Sequence, residues 1–353
     1  MPILTTHNLS TGYRHGSAMT TVMSHINVAL HRGRLTALLG QNGIGKSTLM
    51  RTIAGTQPPT GGEVRLDGRN IASISRREMA RLLAMVFTDR TMAGGLTVRE
   101  LVSLGRQPHT GFLGRLGEND RLAVMQAVES VGIAHKIDTF VAELSDGERQ
   151  KAMIAKALAQ ETPLIILDEP TAFLDVASRI DTLQLLSHLA HTTGKAILLS
   201  THDVSQTLLL ADELWVVTDQ RSLLCGSTED VVLSGAMQHI FGSDKVQFNM
   251  LKGDYEVAVP QRGTVSLQCP DAELAYWLRN ALARNGIAIT PATPPSGAPL
   301  TAAPTLTITA TSPTHITVGA TECTSVAAML KRLNQISDIR NQITPNFSLI
   351  TPN

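Results

Sequence analysis

Cysteine is scarce: Cys225, Cys269 and Cys323 are the only three in 353 residues, far apart and with no paired spacing. That excludes a disulfide framework and a cysteine-ligated zinc site, and it fits a reducing compartment. Net charge is absent as well. Thirty basic side chains face 30 acidic ones, which argues against a partner held mainly through a basic surface, nucleic acid above all. No apolar run approaches the roughly eighteen residues of a membrane span, and Met1 to Leu9 lack the basic and apolar regions of a signal peptide. The expectation is a chain that neither crosses a membrane nor is exported. What remains is 43% apolar with 27 Gly and 16 Pro, neither collagenous nor disordered, and long enough for two globular domains.

The neutral total hides an asymmetry. The first acidic residue is Glu63, and Arg14, Arg32, Arg34, Lys46 and Arg51 come before it, so the opening segment carries positive potential. Residues 1 to about 65 read as short strands with turns: Ile26 to Leu30 alternates, and Leu35 to Leu39 is a buried-strand run leading into a helix. From Arg76 to about Ala159 the pattern is mostly helical. Continuous apolar runs then return at Leu164–Leu167, Ala196–Leu199 and Leu214–Val217, separated by helical stretches, as a parallel sheet covered on both faces requires. Composition shifts near residue 260, because the last 91 residues hold nine of the 16 prolines, so a boundary is expected near Gly263. Beyond it, strands at Val265–Leu267, Ile287–Ile289, Leu306–Thr309 and His315–Val318 and helices at Asp271–Asn285 and Ser325–Ile336 read as a small α+β module.

Three motifs carry chemistry. Gly40-Gln41-Asn42-Gly43-Ile44-Gly45-Lys46-Ser47-Thr48 follows the buried run Leu35–Leu39 and opens a helix, the context that a polyphosphate-binding loop needs. Its glycines let backbone amides close round phosphates, Lys46 reaches the outer phosphates, and Ser47 is left to ligate Mg²⁺. Asp168-Glu169 ends the apolar run Leu164–Leu167, at the sheet edge where ligands of open α/β sheets bind. Asp168 is expected to hold Mg²⁺ and Glu169 to orient and deprotonate an attacking water. Ser145-Asp146-Gly147-Glu148 is a capping box by itself, and a helix start of this kind also binds an anion.

Taken in order, these motifs resemble the ATP-binding cassette ATPases over roughly residues 1–262, with Leu144 to Gln150 in the place of that family's signature. The resemblance implies a P-loop NTPase (RecA-like) α/β core with an antiparallel β subdomain and a helical subdomain at about 90–160, followed by the α+β module at 263–353. It further implies that Tyr13 stacks on adenine, that Asp175 couples two sites across a dimer, and that His202 senses the γ-phosphate. ATP and Mg²⁺ are the implied ligands. The implied assembly is a head-to-tail homodimer, Ser145 and Gly147 acting on the partner's ATP, peripheral on the inner face of the cell membrane, with permease subunits and, through them, a substrate-binding protein. Leu104 to Gly111 resembles the helical segment of importers for iron chelates, haem and cobalamin. Two positions depart from the family pattern: Thr88, followed by Asp89, replaces an expected glutamine, and Asp146 replaces a glycine. Asp89 is a candidate substitute metal ligand. The same motifs leave room for a soluble regulatory cassette or a nucleic-acid- or ribosome-associated one, although the latter group usually carries two cassettes or a coiled-coil insertion.

Overall fold

The first third of the chain makes more continuous strand than its turns suggest. Strand β1 (Pro2–His15) is long because it changes partners along one side, pairing first with β3 (Ala29–His31) and then with β2 (Ala18–Ile26). Its other side pairs with β5 (Gly61–Leu66), which pairs with β6 (Arg69–Asn70). Burial alternates through Ile26–Leu30 as expected, but the strand itself is interrupted at Asn27 and Val28, between β2 and β3. There the Thr6 hydroxyl substitutes for a ladder bond, donating to the Ile26 carbonyl and accepting from the Val28 amide, both at 2.9 Å. The computed structural model describes residues 1–15, 18–87, 95–111, 114–240, 245–290 and 306–336.

The second sheet is built on the buried apolar runs. Parallel strands β4 (Leu35–Leu39), β7 (Leu83–Val86), β8 (Leu164–Leu167), β9 (Ala196–Thr201) and β10 (Glu213–Val217) stand in the order β10-β4-β9-β8-β7, with β11 (Leu223–Ser227) antiparallel at the β10 edge. Alternate residues serve two apolar layers. Leu35, Ala37, Leu39, Ile165 and Leu167 pack with α3 (Val98–Ser103), α4 (Glu118–Ser130), α5 (Asp146–Ala159) and α6 (Val176–Thr193). Leu38, Leu164 and Ile166 pack instead with Leu49 and Met50 of α1 (Lys46–Ile53) and with Ile3 and Leu30 of the first sheet. Helix α2 (Arg76–Leu82) leads into β7, α7 (Val204–Leu210) follows β9, and α8 (Thr228–Leu233) and the hairpin of β12 (Val246–Asn249) and β13 (Asp254–Val257) come last. Among the described residues no helix is long and apolar enough to cross a membrane.

The chain divides into two compact units, Met1–Glu256 and Val257–Asn353. In the second, β14 (Gly263–Gln268) begins six residues past that division. A central β14 pairs in parallel with β15 (Ile287–Thr290) and β16 (Thr307–Ser312), and β17 (His315–Val318) and β18 (Thr321–Cys323) extend the sheet antiparallel. Val265, Ile308 and Ile316 pack under Leu278 and Leu282 of α9 (Ala272–Arg284) and Met329 of α10 (Val326–Gln335). The connector is locked to this unit at Gly286, whose φ of +71° and missing Cβ let the Pro260 carbonyl approach; a Cβ there would lie 2.4 Å from it. All three cysteines are unpaired.

Candidate functional site

Two glycines shape the loop between β4 and α1. Gly43 takes φ +76°, and Gly45 takes φ +120° at a point where a Cβ would fall 2.6 Å from Val22 Cγ1. No side chain caps α1, so its first amides stay open toward the loop. Asn42 and Ser47 are exposed and Thr48 is half-buried. Lys46 is only 6% exposed, and its Nζ donates to the carbonyls of Gly40 and Gln41 at 2.8 and 3.0 Å. Burial lowers the Lys46 amine below the ordinary lysine value, while the nearby Glu169 and Asp168 carboxylates oppose that shift. The loop and the acidic strand end therefore share one electrostatic site.

The Asp168 carboxylate and the Glu169 backbone are held by a residue that sequence reasoning passed over. Ser200, fully buried in β9, donates its hydroxyl to Asp168 Oδ1 at 2.7 Å and accepts the Glu169 amide at 2.9 Å. Pairing of Leu167 with Leu199 sets Asp168 level with it. Glu169 takes φ +47° and Phe173 takes φ +65°, left-handed conformations that cost energy for residues other than glycine and concentrate at functional sites. The signal for Ser200 was a hydroxyl at the end of the apolar run Ala196–Leu199, followed by a second at Thr201. His202 is exposed just past β9, where Asp203 turns back to cap α7. Tyr13 is 54% exposed on β1, opposite Thr20.

A second cluster lies at the paired starts of α5 and α6. Ser145 caps α5 in a full capping box: its hydroxyl accepts the Glu148 amide at 3.3 Å, while Glu148 Oε2 accepts the Ser145 amide at 3.0 Å. These bonds, with Lys136 nearby, hold the Glu148 carboxyl below its ordinary value. Gly147 faces α6 so closely that a Cβ would lie 3.1 Å from Ser178 Oγ. That hydroxyl in turn donates to Asp175, which caps α6 through the Ser178 amide at 2.8 Å and is held low in pKa by these bonds. Ser145, Gly147 and Asp175 thus belong to one patch. Arg179, one turn into α6, donates to the Leu174 carbonyl and stands 3.8 Å from Asp203, linking this patch to the turn that carries His202. Thr88 and Asp89 lie outside the described residues.

The segment Leu104–Gly111 has a structural task. A Cβ on Gly105 would lie 2.3 Å from the Lys156 carbonyl. Buried Arg106 bonds Asp120 at 2.9 Å and the Ala159 carbonyl and Glu161 at 2.6 Å, and His109 meets the Gln160 carbonyl at 2.9 Å. It fastens the helical region to the end of α5.

With this geometry in view, comparison with known proteins gives the family. The family model described as ABC transporter matches residues 23–172. An ABC transporter ATP-binding protein of Methanocaldococcus jannaschii, itself uncharacterised, is 35% identical over 72% of this chain and 87% of its own length. The chain belongs to the ABC transporter ATP-binding proteins. Within these ABC transporter ATP-binding proteins, the ferric enterobactin transport protein of Escherichia coli is 37% identical over 64% of this chain and 84% of that one. The structure of CbiO1 from Clostridium perfringens, part of an ABC transporter complex, matches with a TM-score of 0.58 at 30% identity, over 67% of this chain and 92% of that one. The family's fold and its ATP hydrolysis accordingly belong to this chain.

Proposed function

We propose that this chain powers an importer for iron chelates, haem or cobalamin, working as a head-to-tail homodimer beneath separate permease subunits that a substrate-binding protein supplies. The similarity to a ferric enterobactin transport protein and the Leu104–Gly111 segment support the substrate class. In this reading residues 1–262 are the cassette, peripheral on the inner membrane face, and 263–353 an accessory domain.

One observation carries the catalytic part: Lys46, Asp168 and Glu169 interact electrostatically beside the uncapped start of α1. The donor set fits Mg²⁺. Ser47 and Asp168 offer one hydroxyl and one carboxylate, and among the described residues no group of three or more His, Cys, Asp or Glu could hold a metal by itself. An ion that keeps water and substrate phosphate oxygens as most of its ligands suits so sparse a set. Mg²⁺ held by Ser47 and Asp168 supplies charge neutralisation for the phosphates. Gly40, Asn42, Gly43, Gly45 and Thr48 close the backbone round them, Tyr13 stacks on the base, and Lys46 balances the charge that develops on the outer phosphate. Glu169 takes the proton of the attacking water, and His202 holds the γ-phosphate. Ser145 and Gly147 reach the partner's nucleotide, with Asp175 at the junction.

Replacing Glu169 with Gln tests this assignment. Hydrolysis is expected to fall about 10²- to 10⁴-fold, the usual contribution of a general base, with ATP affinity unchanged. Hydrolysis at the wild-type rate would overturn the role given to Glu169.

A further inference from the structure

Asp146 is the first residue of α5 and lies between Ser145 and Gly147, so a carboxylate stands on the face that the proposed dimer turns toward a triphosphate. Its charge does not stand alone. Arg149 Nη1 donates to Asp146 Oδ1 at 2.6 Å, and Nη2 of the same guanidinium donates to the Leu144 carbonyl at 2.9 Å. The other acidic group of that first turn is handled similarly: Glu148 is bonded back to Ser145 and has Lys136 at 3.6 Å. Each acidic side chain at the start of α5 therefore has a cation from its own chain. The Asp146 side chain is 53% exposed and that of Arg149 is 30% exposed, and pairs so placed add little to folding. Their consequence is electrostatic. Uncovered, the Asp146 carboxylate would oppose the helix dipole and the open amides that make this end attractive to an anion.

We propose that Arg149 is a positioning residue that cancels the Asp146 carboxylate, leaving the Ser145–Gly147 surface neutral and rich in donors for the partner's bound triphosphate. The inference rests on the head-to-tail reading above. It predicts that the affinity of the dimer follows the summed charge of positions 146 and 149.

The test measures the ATP-dependent dimerisation constant by analytical ultracentrifugation, in a Glu169→Gln chain that retains ATP and Mg²⁺. Arg149→Ala should weaken the dimer about 100-fold at low salt, about tenfold for the uncompensated charge at each of the two sites, several Å from a phosphate at intermediate dielectric. The loss should shrink as salt rises through the physiological range. Asp146→Asn should leave the dimer as tight or tighter. The chain carrying both Asp146→Asn and Arg149→Ala, neutral there again, should return to within about two- to threefold of the unsubstituted affinity. Arg149→Lys, which keeps the charge, should retain most of the affinity, and nucleotide affinity of the monomer should not change in any variant. A double variant as weak as Arg149→Ala alone, or a loss independent of salt, overturns the inference while leaving the dimer intact. A Glu169→Gln chain that binds ATP and stays monomeric overturns the dimer reading, and the inference with it.

Discussion

The loop side of the cassette and the start of α5 are built in opposite ways. At the loop, the decisive groups are interior: Lys46 is 6% exposed, Ser200 is fully buried, and backbone carbonyls and one hydroxyl fix the charged atoms. At α5, Ser145 and Asp146 are exposed and are held only by capping and ion pairing at the surface. The first arrangement fixes reacting groups in place before a ligand arrives. The second leaves a helix start exposed, as the proposed site completed by a partner requires.

That contrast can be broken most severely at Lys46. Lys46→Ala removes a charged donor and should weaken ATP binding by about 30- to 150-fold, since a charge-assisted hydrogen bond is worth roughly 2–3 kcal/mol, as isothermal titration would register. Unchanged affinity would remove Lys46 from the site. Ser200→Ala comes next. It removes the buried hydroxyl that bonds both Asp168 and the Glu169 amide and should destabilise the chain by about 1–3 kcal/mol in denaturant unfolding while also lowering turnover, a double effect that a purely structural serine would not give.

The smallest effect belongs to the exposed side. Glu148 is held below its ordinary value of 4.5, so its capping contribution is complete above that pH and is lost as pH falls through the lower folded value. The difference in melting temperature between the native chain and Glu148→Gln should stay constant from pH 7 to about 5 and narrow below pH 4.5. A constant difference down to pH 3 would mean that the charge of Glu148 plays no part in the cap.

Much of this was legible in the sequence, for reasons that differ between the two regions. The apolar runs at Leu35, Leu164, Ala196 and Leu214 became parallel strands because each is buried on both faces. Gly45 and Lys46 were readable because close backbone approach permits few other residues. The partner exchange of β1 and the break at Asn27 were not, since the Thr6 hydroxyl that replaces the ladder lies twenty residues from the carbonyl it meets. Ser200 escaped for a similar reason: its meaning depends on the register that places it beside Asp168, and register is a property of the sheet. Strand β18 is only three residues long, too short for its alternation to register. The Asp146–Arg149 contact, by contrast, is local, joining two residues three apart on one helix, a spacing that the sequence displays directly.

The central claim is that each nucleotide is enclosed by the loop of one chain and the α5 start of another. Mixing two inactive variants tests it: Lys46→Ala, with a spoiled loop, and Ser145→Arg, with a spoiled helix start. In a head-to-tail dimer of one of each, the intact loop faces the intact helix start, so ATP hydrolysis absent from either variant alone should return on mixing. A site complete within one chain predicts no recovery at any ratio of the two, and that result would contradict the account.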